Sequence, residues 1–233
     1  MIPQKWKKRL ILFWRGWGWS ILVAVLVATS FRSAIADWND VPTGSMKPTI
    51  LEGDRIFVNK LAYDLKVPYT TWHLAQWSDP KHGDIVVFFS PADGKRLVKR
   101  VIGIPGDEIA MVRNRLFLNG QPLEYSPLDE DTIAQLAPEQ QTQHRFFNER
   151  LTTTIHAVMF SLTRPSLRTF PPIRIPEHHY FMMGDNRDNS ADSRFFGFVE
   201  RQRIVGRAST VVLSLDYDHH YLPRWNRFFS KLL

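Results

Sequence analysis

The chain contains no cysteine among its 233 residues. This absence excludes disulfide bridges, zinc sites built from thiolates and a cysteine nucleophile. It does not locate the protein, because both oxidising and reducing compartments hold chains without cysteine. The function therefore has to be sought in other residue types.

Acidic residues are also missing from the first 36 positions, where Lys5, Lys7, Lys8, Arg9 and Arg15 precede or enter an apolar stretch. The rest of the chain carries 25 basic and 23 acidic residues, so the net charge of +7 is largely an N-terminal feature. Since this charge needs no nucleic-acid partner to explain it, we expect none.

Long apolar runs are scarce, and one segment alone is a clear candidate for a membrane span. Residues 16–31 carry no charge, and extension back to Leu10 gives 22 residues interrupted only by Arg15. A helix of that length spans about 33 Å, close to the thickness of the hydrocarbon core. Because the basic cluster comes first, the positive-inside rule predicts a cytoplasmic N-terminus and a main domain across the membrane.

The same features also describe a secretory signal. A basic start, an apolar run and Ala34-Ile35-Ala36 are typical of a cleavable leader, and on these features alone anchor and leader stay open. Either way the main domain lies outside the cytoplasm.

The remaining 200 or so residues predict a mostly antiparallel β fold. Fifteen prolines and twelve glycines favour many turns over a helical bundle. Residues 128–150 are polar and helix-tolerant, which indicates an insertion. The tail from Tyr221 is basic and aromatic, and contact with a bilayer surface and packing on the domain are equally open. Runs rich in β-branched and aromatic residues predict strands at 54–58, 85–89, 97–104, 109–118, 152–159, 180–183 and 204–215.

Ser45 is a candidate nucleophile. It lies in Pro-Thr-Gly-Ser-Met-Lys-Pro-Thr at 42–49, where Pro42 and Pro48 restrain the loop and Gly44 permits close backbone approach. A serine becomes nucleophilic only when a base takes its proton. Because no histidine lies in a recognisable triad context, the candidate base is a lysine.

Lys99 is that candidate. On a strand it shares a face with Leu97 and Val101, where it is the lone charge. Burial lowers a lysine pKa and makes the amine a usable base near neutral pH. The alternative is a strand lysine that extends its charge to water, which is generically commoner.

Residues 184–194 read Gly-Asp-Asn-Arg-Asp-Asn-Ser-Ala-Asp-Ser-Arg. A calcium loop starting at Asp188 would need Gly and Glu where Ser193 and Val199 stand, so calcium is excluded. A rigid polar network beside the site is the better interpretation, with Ser190 placed to orient a lysine amine and Asp192 paired with Arg194. The histidine pairs His178-His179 and His219-His220 do not have metalloprotease spacing.

Together these motifs resemble the bacterial signal peptidase I (leader peptidase) family of membrane-anchored serine–lysine endopeptidases. The likeness covers about 31–119 and 176–215, and it is specific because separate motifs agree in order and spacing. The motifs lie at 31–33, 43–49, 83–88, 98–107, 184–194 and 197–199.

The resemblance implies roles for individual residues. Ser45 attacks the scissile carbonyl, Lys99 is the general base, and the Ser45 N–H with the Thr43 hydroxyl forms the oxyanion hole. Ser190 holds the Lys99 amine, and Asp192, Arg194 and Arg100 support the site. The residues that match walls of small, alanine-selective substrate pockets are Val41, Pro42, Met46, Ile50, Leu97 and Val98.

The resemblance also implies a coiled or barrel-like antiparallel β core with a smaller inserted domain and one N-terminal transmembrane helix. We expect the anchor at 1–36, the catalytic core at 37–108 and 176–215, the insertion at 109–175 and the basic tail at 216–233. Thr43 departs from the family, where serine is frequent, and 120–175 matches no family motif.

The expected protein is thus a monomeric inner-membrane peptidase that removes signal peptides from exported preproteins at Ala-x-Ala sites, in contact with the phospholipid bilayer and without cofactor or metal. A peptidase for pilus or conjugation precursors and an inactive homologue that only binds precursors remain alternatives. A cytoplasmic autoprotease repressor disagrees with the apolar segment.

Overall fold

The structure is a computed structural model that describes Trp6, 14–70, 72–217 and 220–232. The predicted basic cluster at Lys5, Lys7, Lys8 and Arg9 lies outside the described residues, as do the Arg15 side chain and His219.

The N-terminal apolar segment is a helix. A π-helical turn at Trp14–Gly18 leads into α1 (Trp19–Ala34). The 19 residues of Gly16–Ala34 have a mean hydropathy of 1.3, and most of their side chains are exposed. Their length and composition suit a membrane span. The Lys60 amine ties the end of α1 to the main domain, because it donates to the carbonyl oxygens of Arg32 and Ser33 at 2.9 and 3.0 Å.

The part of the chain that the structure describes is mostly antiparallel β, as predicted. The short helices are α2 (Glu130–Ile133), α3 (Pro138–Gln143) and α4 (Ser193–Phe196), with 3₁₀ turns at Gly44–Met46, Lys60–Ala62, Arg201–Arg203 and Trp225–Arg227. The strands are β1 (Ala36–Asp40), β2 (Asp54–Asn59), β3 (Asp64–Lys66), β4 (His73–Gln76), β5 (Ile85–Phe89), β6 (Arg96–Gly103), β7 (Glu108–Val112), β8 (Arg115–Leu118), β9 (Gln121–Pro122), β10 (Glu124–Pro127), β11 (His144–Leu151), β12 (Thr154–Ser161), β13 (Phe170–Arg174), β14 (His179–Met183), β15 (Val199–Glu200), β16 (Ile204–Asp216) and β17 (Leu222–Pro223).

The largest sheet curls into a half barrel with the order β1-β2-β16-β5-β6-β14-β15, and β17 pairs with β16. Strands from the middle of the chain form two further sheets, β13-β7-β8-β9 and β10-β11-β12, while β3 and β4 form a ribbon. Buried aliphatic side chains fill the half barrel, among them Ile56, Val58 and Val87. Strand β2 alternates between buried and less buried residues, because one of its faces covers this core. Strands β5 and β14 are buried almost throughout, because core side chains pack on both of their faces.

Two segments have a structure that their sequence pattern did not determine. Residues 144–150, in the stretch predicted as a polar excursion, belong to strand β11, which pairs along its full length with β12. The basic tail packs on the domain: Leu232 packs against the core of the half barrel, and Arg227 forms an ion pair with buried Asp54 at 2.6 Å. Cross-strand pairing stabilises β11, and burial against the half barrel stabilises the tail. Neither interaction is visible in a local sequence pattern.

Candidate active site

Ser45 lies in the 3₁₀ turn that follows Thr43, and the turn is held from both sides. Asn186 donates from its backbone N–H to the Ser45 carbonyl oxygen at 3.1 Å and from its side chain to that of Gly44 at 3.1 Å. On the other side Ile50 donates to the Met46 carbonyl oxygen at 2.9 Å. The Ser45 hydroxyl is therefore carried by a loop that the motif at 184–194 fixes in place.

Lys99 lies on β6, opposite Val86 of β5, and its amine reaches the Ser45 loop. The Lys99 Nζ donates to Ser45 Oγ at 2.6 Å and to the Val98 carbonyl oxygen at 3.1 Å. The side chain is buried, with only 3% of the residue exposed. Burial lowers the pKa of the Lys99 amine to about 8, against the opposing charges of Asp192 and Asp185. The amine is thus a base of useful strength near neutral pH.

The residue next to Lys99 joins the three predicted motifs. The Arg100 guanidinium makes two hydrogen bonds to the Asp185 carboxylate, at 2.9 and 2.8 Å, and donates to the Gly83 carbonyl oxygen at 2.9 Å. Asp185 also accepts from the Thr49 hydroxyl, which lies on the Ser45 loop. Burial opposes the charge of Asp185, but Arg100 outweighs burial and lowers the pKa of that carboxyl. This buried pair fixes β6 to both loops.

Asp192 and Arg194 form the expected ion pair, which is fully buried, at 2.8 Å. Asp192 also accepts from the Gly184 N–H at 3.1 Å, and Arg194 donates to the Arg187 carbonyl oxygen. The pair therefore closes the 184–194 loop on itself. Ser190, in the same loop, does not fit the expectation that it holds the Lys99 amine, because its buried hydroxyl makes no hydrogen bond here.

An open cavity of about 790 Å³ lies over the Ser45–Lys99 pair. Its walls include Thr43, Leu97 and Ser190 of the predicted set, together with the segment 164–167 and Phe195. The cavity is wide enough for an extended peptide, and it exposes the serine hydroxyl to a ligand.

Comparison with known proteins identifies the family. The model for signal peptidases of type S26 matches residues 14–213. Signal peptidase I of Pseudomonas fluorescens is 33% identical over 224 residues, which cover 91% of this chain and 77% of that protein. The chain belongs to the peptidase S26 family of signal peptidases.

Other members of the family show the same likeness. The identity to signal peptidase I of Pseudomonas aeruginosa is also 33% over 224 residues, with the same coverage of 91% and 77%. A probable signal peptidase I-2 of Synechocystis is 30% identical over 202 residues, covering 84% of this chain and 71% of the relative. The crystal structure of a signal peptidase I from Enterococcus faecalis is 30% identical, covers 56% of this chain and 97% of its own, and superposes with a TM-score of 0.33. Family membership makes this chain a peptidase of signal peptides.

The residues predicted to form substrate pockets in this signal peptidase fall into two groups. Val41, Met46 and Ile50 are buried in the core beneath the Ser45 loop, and Val98 packs against the same cluster. Leu97 lines the cavity, while Pro42 is exposed beside Thr43. The first group therefore supports the floor of the site from within.

A third buried ion pair joins the 184–194 motif to a residue that lies outside every predicted motif. Arg187, in the 184–194 loop, donates two hydrogen bonds to Glu149 of β11, and both side chains are fully buried. The Tyr125 hydroxyl donates to the same carboxylate at 2.6 Å, and His156 lies 3.3 Å from it. Burial opposes ionisation, but Arg187 outweighs it and keeps the pKa of Glu149 well below its usual range.

The sequence holds a signal that would have found Glu149. Alternation along a strand at 147–151 places Glu149 on one face between Phe147 and Leu151, as a lone acid between apolar side chains. Lys99 has the same arrangement on its strand, but the polar composition of 128–150 predicts an irregular excursion and hides the strand.

Proposed function

We propose that this protein is a membrane-anchored serine endopeptidase that removes N-terminal signal peptides from exported preproteins at Ala-x-Ala sites, with Ser45 as nucleophile and Lys99 as general base. One observation carries the proposal: the buried Lys99 amine lies 2.6 Å from Ser45 Oγ at the floor of an open cavity. Family membership supports the same reaction class.

The reaction begins with a neutral amine. In that state the Ser45 hydroxyl donates to Lys99 Nζ across the same contact, and the amine takes the proton as Oγ attacks the scissile carbonyl carbon. The Ser45 N–H and the Thr43 hydroxyl stabilise the oxyanion. The resulting ammonium then gives its proton to the leaving amine, which leaves an acyl-enzyme on Ser45.

Deacylation uses the same groups in the reverse order. Lys99, neutral again, takes a proton from a water molecule that attacks the ester carbonyl carbon, and then returns it to Ser45 Oγ. No step requires a metal or cofactor. The Arg100–Asp185 ion pair joins the strand of Lys99 to the loop of Ser45 through Thr49. The Asp192–Arg194 pair closes the 184–194 loop, which holds the Ser45 turn.

Specificity and topology complete the proposal. Leu97 lines the cavity directly, Pro42 is exposed beside it, and Val41, Met46, Ile50 and Val98 support the site from the core. In this proposal the set limits the substrate pockets to side chains of about the size of alanine. Helix α1 anchors the protein in the inner membrane, with the N-terminus in the cytoplasm and the cavity on the outer side. A division into a catalytic core at 37–108 and 176–215 and an inserted domain at 109–175 is part of the same proposal.

The decisive experiment compares four proteins on one purified preprotein with an Ala-x-Ala site, in detergent and with a chelator present. We expect wild-type protein to cleave it and both Ser45→Ala and Lys99→Met to lose at least about 1,000-fold in kcat/KM. Lys81→Met, at an exposed lysine, is the matched control and should cleave normally. Full activity of either site variant would rule out the dyad.

Substrate choice is tested separately. A panel of secretory and pilus precursors distinguishes a general signal peptidase from a dedicated one, because the latter cleaves only its own precursor. An inactive homologue would bind precursors and release them uncut.

A further inference from the structure

A second cavity, of about 330 Å³, adjoins the active site and plays no part in the proposed chemistry. Aromatic rings line it: Tyr125, Phe147 and Phe160 pack with centroids 6.0 to 6.4 Å apart. Arginines surround these rings, namely Arg113, Arg115, Arg145 and Arg168. We call this site the arginine pocket.

Three of its arginines have no acidic partner in the part of the chain that the structure describes. Arg168 is bound to Asp188 at 3.0 Å, whereas Arg113, Arg115 and Arg145 are exposed and form no ion pair with a described residue. Most other arginines of the domain are paired. Three guanidinium groups around one concave aromatic surface are complementary to an anion attached to an apolar or aromatic group.

The rim of the pocket is a rigid structure. Arg113 and Asn114 form the tight turn between β7 and β8 with φ values of 49° and 66°, which side chains seldom adopt. Hydrogen bonds hold the turn: Arg113 donates to Thr169 Oγ1 at 3.1 Å, and Asn114 to the Arg168 carbonyl oxygen at 2.9 Å. Arg113 is therefore presented by a fixed turn.

The pocket is linked to the catalytic cavity through Asp188. Asp188 lines the catalytic cavity and accepts from Arg168, which lines the arginine pocket. Asn186, two residues before Asp188, donates to the Ser45 carbonyl oxygen at 3.1 Å. These contacts bound the separation of the Ser45 carbonyl and the Arg168 guanidinium to about 20 Å, a distance that an extended chain covers in about six residues.

We infer that the arginine pocket binds an acidic segment of the substrate polypeptide, about four to six residues after the scissile bond. The inference rests on the proposed function, in which the residues before the cleavage site form the apolar signal peptide and lie in the bilayer. The mature chain then supplies the acidic side chain, and a neighbouring apolar or aromatic side chain packs on the rings. A lipid headgroup is the competing ligand, and a headgroup site is expected beside the apolar helix α1. The arginine pocket shares no lining residue with the groove there, which Ser33 and Tyr69 line.

The test uses two precursor peptides with the same Ala-x-Ala site and either Asp and Glu or Asn and Gln about four to six residues after it. At low ionic strength we expect wild-type protein to cleave the acidic peptide about five- to tenfold faster in kcat/KM. The Arg115→Gln/Arg145→Gln double variant should lose this preference and cleave the neutral peptide within about twofold of wild type. Its activity on the neutral peptide also shows that the variant is folded.

Arg174→Gln is the matched control, because Arg174 is exposed on β13 and outside the pocket; it should keep the preference. An unchanged preference in the double variant, or none in the wild type, would overturn the inference. Loss of binding to vesicles of anionic phospholipid in the double variant, with peptide preference unaltered, would assign the pocket to a headgroup and also overturn it.

A binding measurement separates this inference from the proposed function. A labelled acidic peptide without a cleavage site is titrated into Ser45→Ala protein with and without the two pocket substitutions. We expect at least fivefold weaker binding in their presence, whatever the result of the cleavage assay. Equal binding would contradict the inference even if every precursor is processed.

Discussion

At the scale of single residues, Lys99 combines two properties that rarely occur together. Its side chain is buried, and yet its amine is placed against a hydroxyl group rather than a carboxylate. Lowering the pKa from 10.5 to about 8 corresponds to about 3 kcal/mol of penalty on the charged form. The negative charges of Asp185 and Asp192 raise the pKa of Lys99 and so favour its protonated form. Their ion pairs with Arg100 and Arg194 weaken this effect.

The lowered pKa of Lys99 predicts how activity depends on pH. Because the base must be neutral, kcat/KM should rise with pH and reach half its maximum near pH 8, with about a tenth of the maximum at pH 7. The measurement is cleavage of a peptide substrate from pH 5 to 10. A profile that is flat above pH 6 would mean that Lys99 is not the group that titrates.

Gly184 is a residue whose importance is steric. A Cβ at this position would overlap with the Ser45 carbonyl oxygen and with the Ser190 side chain. We expect Gly184→Ala to displace the Ser45 loop and to lower kcat at least about tenfold, together with the melting temperature. Gly94→Ala is the control, because a Cβ there meets open space, although its positive φ adds a small strain. Equal activity of the two variants would contradict the close approach.

At the scale of elements, β11 stabilises the loop that holds the nucleophile. Glu149→Gln should destabilise the protein by about 3 kcal/mol, because it leaves the buried Arg187 without its countercharge. Activity should fall in parallel, since Arg187 also donates to the Gly184 carbonyl oxygen at 3.2 Å. Thermal and urea unfolding measure the first effect, and peptide cleavage measures the second.

A matched substitution exists on the neighbouring strand. Glu124→Gln removes the same charge from an exposed pair with Arg150 and should change stability by less than about 1 kcal/mol. Similar losses of stability in both variants would mean that removal of the negative charge destabilises the protein whether or not the charge is buried beside the loop.

The same elements show why part of the site was predictable. Ser45, Lys99 and Asp192 lie in contiguous motifs whose composition is informative over a few residues. Glu149 has no such neighbourhood, because its partner Arg187 is 38 positions away and the pairing depends on how two sheets meet. The strands were predicted from β-branched runs, whereas β11 was missed because it is rich in polar residues and becomes a strand through its pairing with β12.

At the scale of the whole molecule, α1 and the main domain predict a topology. If α1 is the membrane anchor proposed above, the protein should remain in the membrane fraction after an alkaline carbonate wash, because the apolar helix of 19 residues is long enough to span the bilayer. Protease added outside spheroplasts should degrade the main domain while a cytoplasmic marker survives. Release by carbonate would instead indicate cleavage near Ala34-Ile35-Ala36, and N-terminal sequencing would show it.

The position of β16 has a consequence for the time at which the enzyme becomes active. This strand lies between β2 and β5 in the half barrel, although about 150 residues separate it from β2 in the chain. The sheet that supports Ser45 and Lys99 is incomplete until the ribosome has made β16. Long-range pairing of this kind also folds slowly. We therefore expect a chain that ends before residue 204 to lack an assembled site, and proteolytic activity to begin only after synthesis has passed residue 216.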